Sequence, residues 1–267
     1  KTGQKSCECD AGFTVTGVLG GNVVTTGNTC KLVPEFTVTT TRVAVGDTFS
    51  FTINAAGTYT IDWDDGNIET IEKTDTTVTT YTHTYAVAKT GGYTIGISGD
   101  ATAYKENTAA ISFSSNKNIA ELYGSLGAIF GDTARPSMFQ GAFSGCTNLT
   151  TIPDTLFSGV TGAANYMFED AFSGCTSLTE IPSTLFSGVT GAADYMFEST
   201  FYGCTSLQSI PVDLFGGVSG AANSMFSSTF YDCTSLQSIP SDLFSGVTGA
   251  AESMFNYTFQ MCTNLAT

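Results

Sequence analysis

The sequence predicts a chain of several domains: a cysteine-containing segment at residues 1–34, a β-sandwich at residues 35–115 and an α/β solenoid at residues 116–267. Two observations carry most of this prediction. Apolar residues alternate with threonine and other polar residues in the first half, and a motif of 29 residues returns in register through the second half. A length of 267 residues and a hydrophobic fraction of 42% allow more than one packed core.

The charge balance excludes several classes of partner. Nine Lys and Arg against 24 Asp and Glu give a net charge of −15, and the sequence contains no basic cluster. The coulombic attraction that supplies most affinity for nucleic acids is therefore missing, and anionic membranes are equally poor partners. No stretch approaches the roughly 20 apolar residues that a membrane-spanning helix needs. We expect neither nucleic-acid binding nor a transmembrane segment in these residues.

The first 34 residues contain three cysteines, Cys7, Cys9 and Cys30. Short cysteine-bearing loops are typical of oxidising compartments. The run CECDAGF resembles the last part of an EGF-like module, in which the two final cysteines pair. This resemblance implies a disulfide between Cys9 and Cys30 and leaves Cys7 to a partner before Lys1. The 20 residues between Cys9 and Cys30 exceed the spacing common in such modules.

Residues 36–115 predict seven short strands. Turn signals separate the alternating segments, which are FTVTTT, DTFSFTI, TYTIDW, NIETIE, THTY, YTIGIS and AISFSS. This spacing predicts a small sandwich, and Asp65-Gly66 predicts a tight hairpin turn with positive φ. The run IDWDDG, followed by YTHTYAVAKTGGYTIGISG, resembles a PKD-type immunoglobulin-like domain. That resemblance implies an extracellular spacer or a module that presents a ligand.

Two groups of polar residues in this module have competing explanations. His83 is the only histidine, and no second histidine or nucleophile motif accompanies it. We therefore expect a hydrogen-bonded structural residue rather than a general base. Asp62, Asp64 and Asp65 could bind calcium through their oxygen atoms. A turn-forming Asp-Gly hairpin explains the same residues, since Gly66 lies one place too early for an EF-hand loop.

The second half repeats every 29 residues without insertion. About nine apolar positions in each unit are too many to bury within one unit, so the uniform period predicts stacked coils. Residues 163–172 predict a short helix, CTSLTEIP an extended segment and STLFSGVTG a turn-rich return. Residues 116–137 predict a degenerate capping unit before the first repeat at Met138. The register is set by Met138, Met167, Met196, Met225 and Met254, and by Cys146, Cys175, Cys204, Cys233 and Cys262.

The pattern MFxxxFxxCTxLxxIPxxLF resembles the BspA-type leucine-rich repeats of surface proteins. The resemblance covers roughly residues 119–267. It implies a right-handed solenoid with a parallel sheet on one face and a role in adhesion. The present units are longer than those typical of that family, with the additional length at LFSGVTGAA. The resemblance therefore extends to the fold class and not to a ligand.

Positions that differ between copies are candidates for an exposed binding face. Solenoids commonly bind partners on the strand face, although a solvated face without a ligand would vary in the same way. We also expect pairs such as Gln140-Gly141 and Glu169-Asp170 to face solvent. The candidate strand-face residues are Thr150, Thr179, Glu180, Gln208, Ser209, Gln237 and Ser238.

The remaining chemical groups of the repeats favour structure over catalysis. One cysteine per coil predicts a column of buried thiols rather than a zinc site or disulfides. No Lys or Arg follows Pro136, and the ten carboxylates there could attract cations or a basic partner, or serve solubility alone. The repeats predict no cleft with paired carboxylates, and the sequence has no phosphate loop or hydrolase motif.

We therefore expect a non-catalytic protein of the cell surface or extracellular space that needs no cofactor. Its solenoid face would contact a host or neighbouring-cell surface protein or a glycan. The alternative is a stalk, sheath or filament that self-assembles through its repeats without a soluble ligand, since the half-made fifth copy exposes a stacking edge. A third interpretation, an accessory region of a secreted polysaccharide enzyme, would need a catalytic domain outside these residues.

Overall fold

The computed structural model describes residues 7–8, 24–25, 28–29 and 31–266, with side chains from Val33 onward. The predicted Cys9–Cys30 disulfide lies outside the described residues. The described elements are β1 (Cys7–Glu8), β2 (Val24–Thr25), β3 (Asn28–Thr29), β4 (Lys31–Leu32), β5 (Phe36–Thr40), β6 (Thr48–Ile53), β7 (Ala56–Asp62), β8 (Ile68–Lys73), β9 (Thr79–Thr84), β10 (Thr94–Ala103), β11 (Ile111–Ser112), β12 (Ile119–Gly124) and α1 (Leu126–Phe130).

All seven strands predicted between residues 36 and 115 are confirmed as β5 to β11. They form two antiparallel sheets, one of five strands in the order β12-β5-β10-β7-β8 and one of three in the order β11-β6-β9. Rings from the two sheets meet between them: the centroids of Phe36 and Phe113 are 5.8 Å apart, and those of Phe51 and Trp63 are 5.9 Å apart. The assignment of this module to the PKD type stays a prediction.

The hairpin between β7 and β8 differs in detail from the predicted turn. Positive φ values fall on Asp64 (62°) and Gly66 (95°) rather than on the adjacent pair Asp65-Gly66. The backbone N–H of Trp63 donates to the carbonyl of Asn67 at 3.0 Å, which closes a loop of three residues. Glycine suits the position at 95°, where other residues are strained.

The helix predicted for residues 163–172 is wrong, because a ribbon of successive turns occupies this part of each unit. Alternate N–H groups bond to the next coil, as when Phe168 donates to the carbonyl of Met196 at 3.0 Å. The intervening N–H groups bond three residues back, as when Ala171 donates to the carbonyl of Phe168 at 3.1 Å. Half of the backbone N–H groups of the ribbon thus form their hydrogen bonds with the neighbouring coil. In a helix these groups would bond within the helix and could not link the coils.

The ribbon turns once every four residues. Within the second repeat, φ is positive at Tyr166 (60°), Asp170 (54°) and Gly174 (72°). The buried residues follow the same period of four, in adjacent pairs at 167–168 and 171–172, so that one edge of the ribbon lines the core.

Stacking of the coils produces three columns of phenylalanine rings. Consecutive rings are near parallel, with interplanar angles of 3–17° and centroid separations of 5.4–6.0 Å. Parallel rings at this separation fill the interior continuously, as the stacking hypothesis requires. The columns are Phe139, Phe168, Phe197, Phe226 and Phe255; Phe143, Phe172, Phe201, Phe230 and Phe259; and Phe157, Phe186, Phe215 and Phe244.

The β module and the repeats share one core. Phe113 stacks on Phe143 at 5.4 Å and 3°, which extends a phenylalanine column into the module. Backbone N–H groups of Ala110, Phe113 and Ser115 donate to carbonyls of the first ribbon. Within the predicted cap at 116–137, β12 is an edge strand of the five-stranded sheet, paired with β5. The β module therefore supplies donors to the carbonyls of the first ribbon and covers that end of the stack.

The parallel sheet implied by the resemblance is reduced to isolated contacts. Among the described residues after β12, the structure assigns no further strand. Two parallel bridges remain, Glu121 with Thr151 and Thr133 with Thr161. Each of the four complete units has a proline after the isoleucine that follows the candidate face, as at Pro182. Proline has no N–H to donate to a neighbouring strand, so it ends the ladder there.

Candidate binding face

All seven candidate face residues are exposed. In each full unit they lie between a buried leucine, such as Leu207, and the isoleucine before the proline, such as Ile210. The two adjacent polar positions of each unit are therefore exposed, and the flanking leucine, together with the isoleucine in the first three units, anchors the segment in the core. Their role in binding stays a prediction.

Backbone hydrogen bonds hold this face in register from coil to coil. The N–H of Gln208 donates to the carbonyl of Thr179 at 3.2 Å, and the N–H of Gln237 donates to the carbonyl of Gln208 at 3.2 Å. At the first repeat, both the N–H and the hydroxyl of Thr150 donate to the carbonyl of Ala120. The face therefore presents hydroxyls, amides and the Glu180 carboxylate as stacked rows.

The ribbon of the coils carries tyrosine pairs and carboxylates. Tyr166 stacks on Tyr195 at 4.8 Å, and Tyr202 stacks on Tyr231 at 4.8 Å. These pairs were not predicted, although their spacing of 29 residues was a usable signal in the sequence. Most ribbon positions expected to face solvent, such as Gln140 and Glu169, are half buried rather than exposed, and Ser227 is only 7% exposed. Asn256 and Tyr257 of the fifth ribbon are exposed as expected.

Burial shifts the acidity of the ribbon carboxyls. The pKa of Glu169 rises to about 7 because the side chain is partly buried and lies near Asp170 and Glu198. Gln140 donates its side-chain N–H to Glu169 at 2.5 Å, which partly offsets that rise. Burial also raises the pKa values of Asp170 and Glu198. Because the pKa of Glu169 lies near 7, the charge of this carboxyl group changes with pH around neutrality.

The predicted column of buried thiols is confirmed. The five repeat cysteines are free and at most 8% exposed. Each Sγ donates to the carbonyl of a phenylalanine one coil earlier, as from Cys204 to Phe172 at 3.3 Å. Burial raises the pKa of Cys146 to about 12 and that of Cys204 well above its usual range. These thiols are packing groups rather than nucleophiles.

His83 lies in a packed arrangement, as expected of a structural residue. Its ring stacks on Trp63 at 4.9 Å and meets the Tyr85 ring edge-on at 4.8 Å. The Nε2 atom lies 2.7 Å from Oδ2 of Asp65. Although burial by itself would raise the pKa of Asp65, the hydrogen bonds from His83 and Asn67 lower it.

The carboxylates of the calcium candidate have protein partners. Asp62 accepts from the N–H of Asp64 at 2.9 Å, and Asp64 accepts from Lys89 Nζ at 2.6 Å. Oδ1 of Asp65 accepts hydrogen bonds from the backbone N–H and from the side-chain amide of Asn67. In the part of the chain that the structure describes, no group of three or more His, Cys, Asp or Glu side chains could hold a metal ion.

The fifth ribbon carries exposed aromatic and apolar side chains. Phe255, Tyr257 and Met261 of the fifth ribbon are 42%, 55% and 52% exposed. Their N–H groups occupy the positions that in earlier coils donate to the next coil, and they donate to no backbone acceptor among the described residues. A shallow apolar recess beside this ribbon is lined by Phe244, Phe255, Tyr257 and Phe259.

The fold and the exposed rows define a repeat protein in which stacked coils present a regular polar face. Residues 136–267 match the family model of the BspA type leucine rich repeat region in six copies. This is a family of non-enzymatic repeats that is commonly associated with the cell surface and with protein binding. No curated protein and no solved structure matches the chain. Within the residues that the structure describes, no helix has the length and apolar composition required to cross a membrane.

Proposed function

We propose that this chain is a non-catalytic binding protein of the cell surface or extracellular space. The exposed rows at Thr150, Thr179, Glu180, Gln208, Ser209, Gln237 and Ser238 would contact a surface protein or a glycan of a host or neighbouring cell. The observation that carries the proposal is that these seven side chains are all exposed on one face of the stack. The family match supports a surface location and a binding role.

The chemistry of the face suits hydrogen-bonded recognition. Hydroxyls and carboxamides both donate and accept, so they can pair with a partner's backbone or with sugar hydroxyls. Because the coils are related by a constant repeat, the face offers equivalent groups at regular intervals along the stack. A partner with its own repeat, such as an extended peptide or a polysaccharide, can engage several coils at once and gain affinity from multiple contacts.

Binding of the full chain to arrays of matrix proteins and glycans tests this proposal. We expect saturable binding that the double variant Gln208→Lys/Gln237→Lys weakens at least about tenfold, because long cationic side chains would block the rows. The matched control is Ser187→Lys/Ser245→Lys, which adds the same charge at exposed positions outside the face. The absence of saturable binding by the folded protein, or an equal loss in both variants, would contradict the proposal.

A structural role, as a self-assembling stalk, sheath or filament, is the second candidate. The uniform backbone hydrogen bonds and aromatic columns between successive coils favour it, because such contacts can hold an extended stack together without a soluble ligand.

Sedimentation velocity over a range of concentrations separates the two candidates. Self-assembly predicts larger species at higher concentration, and Tyr257→Asp/Met261→Asp should return them to the monomer because charges would replace exposed apolar surface. The matched control Ser219→Asp/Thr248→Asp changes exposed residues of the return loops. A chain that stays monomeric at every concentration would exclude this role.

A further inference from the structure

A pocket of about 300 Å³ lies where the β module meets the first repeat. Tyr104, Lys105 and Glu106 of the module form one side, and Arg135, Pro136 and Met138 form the other. Pockets that bind small molecules begin at about this volume and often lie between structural units. The pocket shares no residue with the candidate face.

Arg135 is held rigidly at the pocket wall. Its guanidinium carbon lies 3.8 Å from the centroid of the Tyr104 ring, and Nη1 donates to the carbonyl of Phe130 at 3.2 Å. The Tyr104 hydroxyl donates to the same carbonyl. The ring and the carbonyl therefore fix the plane of the guanidinium while most of its N–H groups stay unused.

The charged groups of this pocket are unpaired. Neither Arg135 nor Lys105 lies in a salt bridge with another described residue, whereas Lys73 and Lys89 pair with Asp75 and Asp64. Glu106, which also lines the pocket, has no cationic partner there either. In a chain with 24 acidic and nine basic residues, this pocket brings together two cations that have no carboxylate partner among the described residues.

The lining dictates the chemistry of a ligand. A planar guanidinium held by one edge recognises a carboxylate through two parallel N–H bonds, and the Lys105 ammonium adds a second positive charge. The Glu106 carboxylate accepts hydrogen bonds from hydroxyl groups. Pro136, which is exposed, supplies apolar surface for the C–H face of a ring, and the buried Met138 closes the pocket behind it. A compact ring that bears one carboxylate and several hydroxyls matches all of these groups.

We propose that this pocket binds an acidic sugar, a uronate unit of a glycan, with its carboxylate on Arg135. This site is independent of the exposed face and does not rest on the function proposed for it. It gives the chain a second, charge-selective contact at the junction of its two halves.

Titration of the full chain with sodium glucuronate, followed by NMR or calorimetry, tests the proposal. We expect saturable binding with a dissociation constant in the millimolar range, which is typical of one sugar unit with a few polar contacts. Glucose, which has the same ring without the carboxylate, should bind at least about tenfold more weakly. N-acetylglycine supplies a carboxylate without the ring hydroxyls and should also bind more weakly.

Variants at the pocket identify the residues responsible. Arg135→Gln should abolish glucuronate binding, and Arg135→Lys should weaken it about tenfold because lysine keeps the charge but not the planar donor pair. Lys105→Gln changes an exposed rim residue, so it should weaken binding severalfold without affecting the fold. Arg42→Gln removes an exposed cation elsewhere and is the matched control.

Several results would overturn this site. They are no saturation with glucuronate, equal binding of glucose, or unchanged binding in both Arg135→Gln and Lys105→Gln. N-acetylglycine that binds as tightly as glucuronate would replace the sugar with a peptide carboxylate as the occupant. Far-ultraviolet circular dichroism of each variant shows whether a loss of binding reflects unfolding.

Discussion

Burial determines the behaviour of individual side chains in the repeats, and the cysteines show this most directly. Cys175 and Cys204 are fully enclosed, each with its Sγ on a carbonyl of the preceding coil. Desolvation of the thiolate raises their pKa values well above the usual range. Cys262, in the last ribbon, is 8% exposed, and its pKa rises less.

We predict that thiol alkylation follows this order of burial. At pH 8, Cys262 should react first with iodoacetamide, whereas Cys175 and Cys204 should react only when the chain unfolds, because the thiolate is the nucleophile. Peptide-resolved mass spectrometry over a time course measures each rate. Equal rates for Cys204 and Cys262 in the folded protein would show that the column is open to solvent.

The stability of the fold should depend on the protonation of Glu169. Its pKa in the folded state, about 7, lies above the ordinary value of 4.5, so the folded state binds the proton more tightly. This contribution is fully present below pH about 4.5 and is lost as the pH rises to about 7. We predict that Glu169→Gln is more stable than the parent by about 1 kcal/mol above pH 7, a value reduced for solvent screening at this half-buried site.

Urea unfolding at pH 4 and pH 8 measures this difference. The advantage of Glu169→Gln should be present at pH 8 and absent at pH 4. Asp213→Asn removes one exposed carboxylate from the same region and controls for the change in net charge. A stability difference that is the same at both pH values would exclude titration of Glu169 as its cause.

At the scale of the element, close approach of neighbouring coils restricts certain glycines. A Cβ atom at Gly217 would lie 2.6 Å from the carbonyl oxygen of Val189, in the coil before it. A Cβ atom at Gly216 would lie no closer than 3.2 Å to any atom outside its chain neighbours, and the other three copies have serine at this position. Gly217 therefore permits the close contact between coils, whereas the position of Gly216 has room for a side chain.

We predict that Gly217→Ala destabilises the protein by about 2 kcal/mol, because a fixed backbone carbonyl must move to admit the methyl group. Gly216→Ser should change the free energy of unfolding by less than about 0.5 kcal/mol, in the range of surface substitutions. Chemical denaturation of both variants measures the difference. If Gly217→Ala were as stable as Gly216→Ser, the coils could not be in the contact described.

The wrong prediction of a helix at residues 163–172 has a physical explanation. A helix repeats every 3.6 residues, whereas the buried pairs 167–168 and 171–172 recur every four. Over ten residues the two periods place nearly the same apolar residues inside, so the pattern was ambiguous. The strict recurrence of adjacent pairs, continued by Cys175, was the signal that distinguished the ribbon. The strands were predicted correctly because their period of two has no close alternative.

At the scale of the whole molecule, the two halves form one packed unit. The column through Phe113, Phe143 and Phe172 runs from the β module into the repeats without a gap. The local pattern of each half predicted a sandwich and a stack, but it could not predict this join, since it depends on contacts between distant segments. The junction pocket escaped prediction for the same reason, because no spacing relates Tyr104 to Arg135.

We predict that deletion of residues 196–224, one complete unit, preserves cooperative folding. Tyr195 would then precede Met225 with every column intact, and stability should fall because one interface between coils is lost. Deletion of residues 196–209 removes most of the ribbon and the adjoining face segment of the same unit but leaves its return loop, and it should abolish cooperative unfolding. Circular dichroism during denaturation measures both. Non-cooperative unfolding of the first variant would show that the coils are not interchangeable.

The uniform bonds between coils have a mechanical consequence. If the chain is held at the β module and pulled from the far side of the repeats, the coils must detach one at a time, beginning with the coil farthest from the module. Each detachment breaks the same row of backbone bonds and the same aromatic contacts, and it releases 29 residues of chain, about 100 Å when extended. The repeats would thus extend in equal steps at similar forces, while the antiparallel sheets at the other end stay intact and anchor the remaining coils.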